Sequence, residues 1–318
     1  MKQSFGDFNS SIESDFPGGN HQVELIPCPY EETTTYGKGT ANGPEAIITA
    51  SQELEFYDDE LDFDISEELG FKTLDPVVMP LQDAKTAEPF EALYDVCRDS
   101  YIRNKFPIVL GGEHSLSLGS VKAAYDYAKE QGQNLRLLHF DAHADLRQEY
   151  EGNPHNHACA IYQIYKACPD IQIISVGIRN ISRGEVEWLQ NIPEDRIKIF
   201  YARDQKTNVY NVGNNKTWTA ESIVAHASDL ANKMLYVTFD VDGFDSNLMP
   251  STGTPEPGGL DWYTPINIIS EIAKSHRIIG ADVVELSPIS KFHAPDFLAA
   301  KLVYKIASLA KKANFSEM

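Results

Sequence analysis

Eight short apolar runs, nearly continuous in hydrophobicity, recur along the chain and constrain its fold more than any other feature. They are VELIPC (23–28), VVMP (77–80), PIVLGG (107–112), LRLLHFD (135–141), IQIISVG (171–177), IKIFYA (near 200), MLYVTFDVD (234–242) and IIGADVVEL (278–286). Runs of this length, rich in Val and Ile, suit strands buried on both faces. Segments with helical periodicity lie between them: PEAIITASQELEFY (44–57), TAEPFEALYDVCRDSYIRN (86–104), SLGSVKAAYDYAKEQ (117–131), TAESIVAHASDLANKM (219–234) and PDFLAAKLVYKIASLAKKA (295–313). The last opens with Pro and Asp and closes with lysines, as the helix dipole prefers. Such alternation implies an α/β fold, a parallel sheet with helices on both faces and right-handed crossovers. Ligands then sit beyond the carboxyl ends of the strands, so residues just after each run should carry the chemistry.

Four of those ends are unusual. PIVLGG leads into His114, LRLLHFDAHAD carries Asp141, His143 and Asp145, MLYVTFDVDGFD carries Asp240, Asp242 and Asp245, and IIGADVVELSP carries Glu285. On an extended strand Asp141, His143 and Asp145 share one face. Taken singly, each residue has a bland reading: His114 as a hydrogen-bonded cap, the aspartates as N-caps. A calcium loop fails, because an EF-hand needs Glu at its twelfth position. Counting from Asp240 or Asp242 gives Ser251 or Gly253 instead.

Convergence at one sheet edge overturns the bland readings. Asp141, Asp145, Asp240 and Asp242 would repel one another strongly unless cations neutralised them. With His114 and His143 they form a mixed ligand set that suits manganese ahead of zinc, nickel, cobalt or iron. Six ligands exceed the three of a catalytic zinc but suit two metals about 3.5–4 Å apart. Such a pair makes hydroxide available at neutral pH, so the expected chemistry is hydrolysis. No GxGxxG after a strand, GxxxxGK[ST], GxSxG or HExxH motif competes with this reading.

The remaining composition narrows the class. With 47 acidic against 27 basic residues the formal net charge is -20, which argues against nucleic acid and anionic membrane as partners. Part of that acid lies in DDELDFDISEELG (58–70) and in the first 20 residues, both read as solvated surface. Cys28, Cys97, Cys159 and Cys168 form no CxxC pair, as expected of reduced structural thiols. No run approaches the ~18 apolar residues of a membrane span, and the polar N-terminus lacks an apolar signal core. The expectation is a cytoplasmic protein, with an acidic tail over 1–20 and a single catalytic domain over 21–318.

These blocks together resemble the ureohydrolase family of arginases and agmatinases. The resemblance runs through PYEETTTYGKGTANGPEAI (29–47), GGEHSLSLG, HFDAHADLR, HNHACA, SVGIRN, FDVDGFDSNLMPSTGTPEPGGL (239–260) and ADVVELSP (281–288). It implies a three-layer α/β/α arginase-like fold with a central, mainly parallel sheet of about eight strands. It also implies two Mn2+ ions, one held by His114, Asp141, Asp145 and Asp240, the other by Asp141, His143, Asp240 and Asp242. Asp145 would further take a hydrogen bond from the attacking hydroxide, Glu285 would pair with a guanidinium group, and His157 would shuttle protons. The family usually forms trimers or hexamers, so a homo-oligomer is expected.

The segment LRQEYEGNPHNHA (146–158) resembles the agmatinase pattern, whereas arginases are rich there in Asn, Thr and Ser. Asn180 and Ser182 stand where arginases tend to place aspartates. The resemblance therefore implies agmatine as substrate, cleaved to putrescine and urea, with Arg147, Asn156, Ser182 and Glu285 as substrate contacts. Arg147 keeps a guanidino acid such as guanidinobutyrate as the alternative, ahead of arginine. A metal-binding regulatory protein without turnover is the alternative of a different class. Glu113 stands where the family more often has Asp, and Ser246 where it often has Pro.

Overall fold

Burial of the apolar runs on both faces builds the sheet. A computed structural model describes residues 5, 22–64, 70–80, 90–205, 217–228 and 234–315. Its strands are β1 (Val23–Cys28), β2 (Tyr57–Asp58), β3 (Phe63–Asp64), β4 (Phe71–Thr73), β5 (Phe106–Gly111), β6 (Leu135–Phe140), β7 (Gln172–Ile178), β8 (Ile197–Tyr201), β9 (Met234–Asp240) and β10 (Arg277–Val284). Eight of them form one sheet in the order β4-β1-β5-β10-β9-β6-β7-β8, and every pairing in it is parallel. β2 and β3 form a separate antiparallel hairpin.

The helices are α1 (Gly43–Ala50), α2 (Glu91–Ile102), α3 (Ser117–Glu130), α4 (Ala160–Ala167), α5 (Arg183–Leu189), α6 (Ala220–Ser228), α7 (Tyr263–Ala273) and α8 (Ala294–Phe315). Alternate strand residues feed two cores. Leu25, Leu110, Phe140, Phe239 and Val283 pack with α1, α6, α7 and α8. Ile26, Val109, Leu137, Tyr236 and Val284 pack with α2, α3 and α4 on the other face. The result is the three-layer α/β/α fold that the alternation predicts.

Three expectations need correction. VVMP (77–80) forms no strand, and the edge position belongs to Phe71–Thr73 instead. Pro76 precedes VVMP and Pro80 ends it, neither supplying a backbone donor, and of the segment's N–H groups Val77 reaches β1, at Pro27 O. The helix expected over 44–57 ends as α1 at Ala50, a 3-10 turn follows over Ser51–Glu53, and the chain is extended from Leu54. Asp58, read as solvated, is 1% exposed and binds Lys305 Nζ through both oxygens at 2.8 Å.

All four cysteines are buried and free. The tail over 1–20 lies outside the described residues except Phe5, whose buried ring packs on Phe71 at 5.1 Å between centroids. Among the described residues no helix is long and apolar enough to cross a membrane.

Candidate metal centre and active site

Five strands deliver the site to one edge. β5 runs through Gly111 and Gly112 into Glu113 and His114, and β6 into Asp141, His143 and Asp145. β9 ends on Asp240, with Asp242 in the turn that follows, and β10 runs into Glu285. β1 runs into Thr33 and Thr35. A side chain on Gly112 would collide with the Tyr30 carbonyl oxygen, so glycine lets the β1 and β5 loops touch. Asp145 and Glu285 hold φ of 50° and 65°, left-handed backbone that non-glycine residues adopt at a cost and that concentrates at functional sites.

The six expected ligands come together. His114 Nδ1 lies 3.2 Å from Asp141 Oδ2, 3.2 Å from Asp145 Oδ2 and 3.5 Å from Asp240 Oδ2. His143 Nδ1 lies 2.9 Å from Asp242 Oδ2 and 3.6 Å from Asp141 Oδ1. Asp141, His143 and Asp242 offer ligand atoms within 4.8 Å of one another, as do His114, His139 and Asp141.

His139 belongs to the support of the site rather than to its ligands. Its Nε2 is 2.8 Å from Asp141 Oδ2 and its Nδ1 is 2.9 Å from Ser175 Oγ, so both ring nitrogens are engaged. The alternation that singles out 141, 143 and 145 extends back to 139 and could have identified it. His114 has a matching support. Asp282 accepts from Thr238 Oγ1 at 2.5 Å and from Ser120 Oγ at 2.9 Å, which leaves the Thr238 oxygen to accept from His114 Nε2 at 3.0 Å. That network assigns the proton to Nε2 and the lone pair to Nδ1.

With the ring neutral, that lone pair faces three carboxylate oxygens in a buried site, and Nδ1 has no hydrogen-bond partner. Burial depresses the ring, yet the same carboxylates outweigh it and raise His114 well above its ordinary value, so in the metal-free protein a second ring proton fills the place. A bound cation takes the same place, and the donor set fits divalent metal. The titration behaviour agrees. Burial raises Asp240 well above the carboxylate range, and the neighbouring Asp242 and Asp141 add to the shift. Burial, with Asp141 beside it, pushes Asp145 to about 6. Burial also opposes ionisation of Asp141, but His114, His139 and His143 hold it well below its ordinary value. Burial depresses His143, yet Asp242 and Asp141 outweigh it and lift the imidazole to about 12.

A cavity of about 130 Å³ opens over this cluster, lined by His143, Asp145, Asp240 and Asp242 and also by Arg147, His157, Asn180 and Glu285. Glu285 is buried, its Oε1 accepts His114 N–H at 2.7 Å, and burial raises its carboxyl well above the ordinary range. His157 Nδ1 stands 3.9 Å from Glu285 Oε1, and its Nε2 is buried without a hydrogen-bond partner. Burial, with His143 and His114 nearby, brings His157 down to about 4, so the ring is neutral at pH 7.

The expected tail contacts divide. Arg147 lines the cavity with its guanidinium 4.8 Å over the Tyr150 ring. Asn156 and Ser182 do not line it. Asn156 caps a 3-10 turn, its Oδ1 accepting Ala158 N–H at 3.0 Å. Ser182 caps α5 in a capping box with Glu185. Asp245 sits apart from the metal cluster and holds the 252–259 loop, accepting from Gly258 N–H at 2.7 Å and Gly259 N–H at 2.9 Å.

Comparison with known proteins agrees with this geometry. Residues 21–308 match the model of the arginase family. The chain belongs to the arginase family. It is 33% identical over 290 residues to an N(1)-aminopropylagmatine ureohydrolase of Synechocystis sp., covering 89% of this chain and 87% of that protein. It is 32% identical to an agmatinase of Pyrococcus horikoshii, covering 91% and 92%. The crystal structure of an agmatine ureohydrolase of Thermoplasma volcanium superposes with a TM-score of 0.75 at 25% identity, covering 96% of each chain. This family member is a hydrolase acting on carbon–nitrogen bonds of amidines, and the family depends on a binuclear metal centre.

Proposed function

We propose that the protein hydrolyses agmatine to putrescine and urea, with two Mn2+ ions held by His114, Asp141, His143, Asp145, Asp240 and Asp242. The observation that carries this reading is Glu285, a buried carboxylate in the cavity wall beside the ligand cluster. An acid in that position is stabilised by a cation that arrives with the substrate, and a guanidinium presents paired donors to it. The two ions would supply the nucleophile from water at neutral pH and electrostatic stabilisation of developing charge.

The chain's own groups do the rest. Glu285 orients the guanidinium so that its central carbon faces the aspartate cluster. Asp145 accepts a hydrogen bond from the attacking water and takes up its proton. His157, neutral at pH 7 because burial lowers it to about 4, relays a proton to the departing amine. A soluble cytoplasmic homo-oligomer is part of the same proposal.

A second reading is favoured by one observation: the Synechocystis relative is named for N(1)-aminopropylagmatine, which carries a longer cationic tail. Urea release from the manganese-loaded protein, with agmatine, N(1)-aminopropylagmatine, arginine, guanidinobutyrate, guanidinopropionate and guanidine in parallel, separates the readings. Highest kcat/KM on agmatine supports the proposal. Preference for the longer amine selects the second reading, and preference for an acid assigns the selectivity to Arg147. Two bound metals with no urea from any substrate would overturn the enzymatic reading in favour of a regulatory one.

A further inference from the structure

The β1 loop, the β5 loop and the loop carrying His157 meet at one buried carboxylate. Glu113, fully buried, accepts Glu32 N–H and Thr33 N–H on Oε2, both at 2.6 Å. Its Oε1 accepts the Thr33 hydroxyl at 2.6 Å and the Ser115 hydroxyl at 2.5 Å. The Thr33 oxygen, its proton directed at Glu113, accepts His157 N–H at 2.9 Å. Thr33 O also lies 3.5 Å from Asn156 Nδ2. Thr33 is absent from the cavity lining, whereas Thr35, two residues on, is part of it.

The neighbours of Glu113 are tied to the opposite side of the cavity. Gly112 O accepts Glu285 N–H at 2.8 Å, and His114 N–H donates to Glu285 Oε1 at 2.7 Å. Residues 112–114 thus hold Glu285 through the backbone and His157 through the Glu113 side chain and Thr33. His157 opens the 3-10 turn that follows the loop over 147–156, which has exposed residues at Glu149, Glu151 and Gly152. A carboxylate with four donors converging on it is a rigid anchor for such a loop.

We propose that Glu113 and Thr33 are positioning residues that set His157 against Glu285, with the Thr33 hydroxyl as the connecting group. This rests on the reading of His157 as the proton relay. Thr33→Val keeps the side-chain shape and removes the hydroxyl, so His157 N–H loses its acceptor and Glu113 loses one donor. Thr33→Ser keeps both bonds.

The test is a double-mutant cycle with His157→Asn, measuring urea release and metal content on manganese-loaded protein, with amide hydrogen exchange of the 153–160 segment. Thr33→Val should lower kcat by about 10- to 100-fold, as a small misplacement of a reacting group does. KM should change little, two metals should remain bound, and Thr33→Ser should restore kcat to within about twofold of the parent on the same scale. In the His157→Asn background Thr33→Val should cost nothing further, since the two changes act through one group. Amides of 153–160 should exchange about tenfold faster in Thr33→Val and at the parental rate in Thr33→Ser.

Parental kcat in Thr33→Val, full additivity with His157→Asn, or a loss that tracks metal content would overturn the proposal. If His157→Asn alone retains parental kcat, the relay reading fails and the catalytic part of this inference fails with it. If no guanidino compound yields urea, the functional reading fails on its own, and unchanged exchange in Thr33→Val is then the result that rejects the brace.

Discussion

The Glu285 carboxylate accepts the backbone N–H of His114 at 2.7 Å, so a cavity-wall acid is fixed to the chain segment that supplies a candidate ligand imidazole. The link follows from sheet order, because β10 and β5 are hydrogen-bonded neighbours. Residues 171 apart in sequence are thereby held in register, one in the buried ligand cluster and the other in the cavity wall. Glu285→Gln preserves the shape and removes the charge. We expect kcat/KM on the preferred guanidino substrate to fall by about 10²- to 10³-fold, the scale for losing one partner of a buried charge pair. Metal content should stay at the parental level. A variant with parental kcat/KM would move guanidinium recognition elsewhere in the cavity.

His139 orients Asp141, and Ser175 in turn orients His139. Partners of this kind typically govern metal affinity by about 10- to 100-fold. His139→Ala should weaken manganese binding by about that factor in an equilibrium titration, again on the scale of such outer contacts, and activity should recover as metal is raised. Unchanged affinity would mean that Asp141 is positioned by His143 N–H, 2.5 Å from its Oδ1, without help from His139.

Much of this architecture was legible in the sequence because the relevant signals are local. Strand identity lies in continuous apolar runs, and the parallel topology places every strand end at one edge, so the convergence of the six candidate ligand positions follows from where the runs stop. What stayed hidden depends on contacts between distant segments or on competing local signals. The bonds between Glu113 and Thr33 span 80 positions, and no pattern near either residue announces them. α7, YTPINIISEIA, carries four isoleucines that favour strand geometry, and helix forms because those residues face the core. Ser182 is expected as a substrate contact because it stands where arginases tend to place an aspartate, while the S-x-x-E spacing to Glu185 marks a helix cap. Asp58 sits among five acids within seven residues, and only the tertiary fold shows that it faces Lys305.

That ion pair has a measurable consequence. Lys305 is 4% exposed and is held by Asp58 through two 2.8 Å bonds and by the more exposed Glu60 at 2.7 Å. Asp58→Ala leaves a buried ammonium with one partially solvated partner and should destabilise the fold by about 3 kcal/mol in urea or thermal unfolding. Glu60→Ala, which removes the solvated partner, should cost under about 1 kcal/mol. Equal costs would show that the hairpin of β2 and β3 is held by something other than Asp58.

The metal-free protein should lose stability as pH rises from 6.5 to 8. Asp242 and Asp141 raise His143 from 6.5 to about 12 against the opposing effect of burial, and Asp141, Asp145 and Asp240 raise His114 likewise. Both imidazoles keep protons in the folded state that the unfolded chain releases above pH 6.5. Asp240 and Glu285, whose carboxyls burial raises above their ordinary values, act in the same sense. The folded state then binds more protons than the unfolded state, and stability falls with pH over this window. His157 acts in the opposite sense, since burial lowers it to about 4, but its contribution changes only below 6.5. Asp141, lowered well below 3.8, titrates outside the window altogether. Bound divalent metal replaces those protons, so the loaded protein should gain stability over the same range as deprotonated ligands become available. Thermal unfolding of chelator-treated and manganese-loaded protein at pH 6.5, 7.2 and 8 measures both slopes. A metal-free Tm that rises with pH would mean that the cluster does not retain protons when empty, and that His114 and His143 do not serve as its counter-ions.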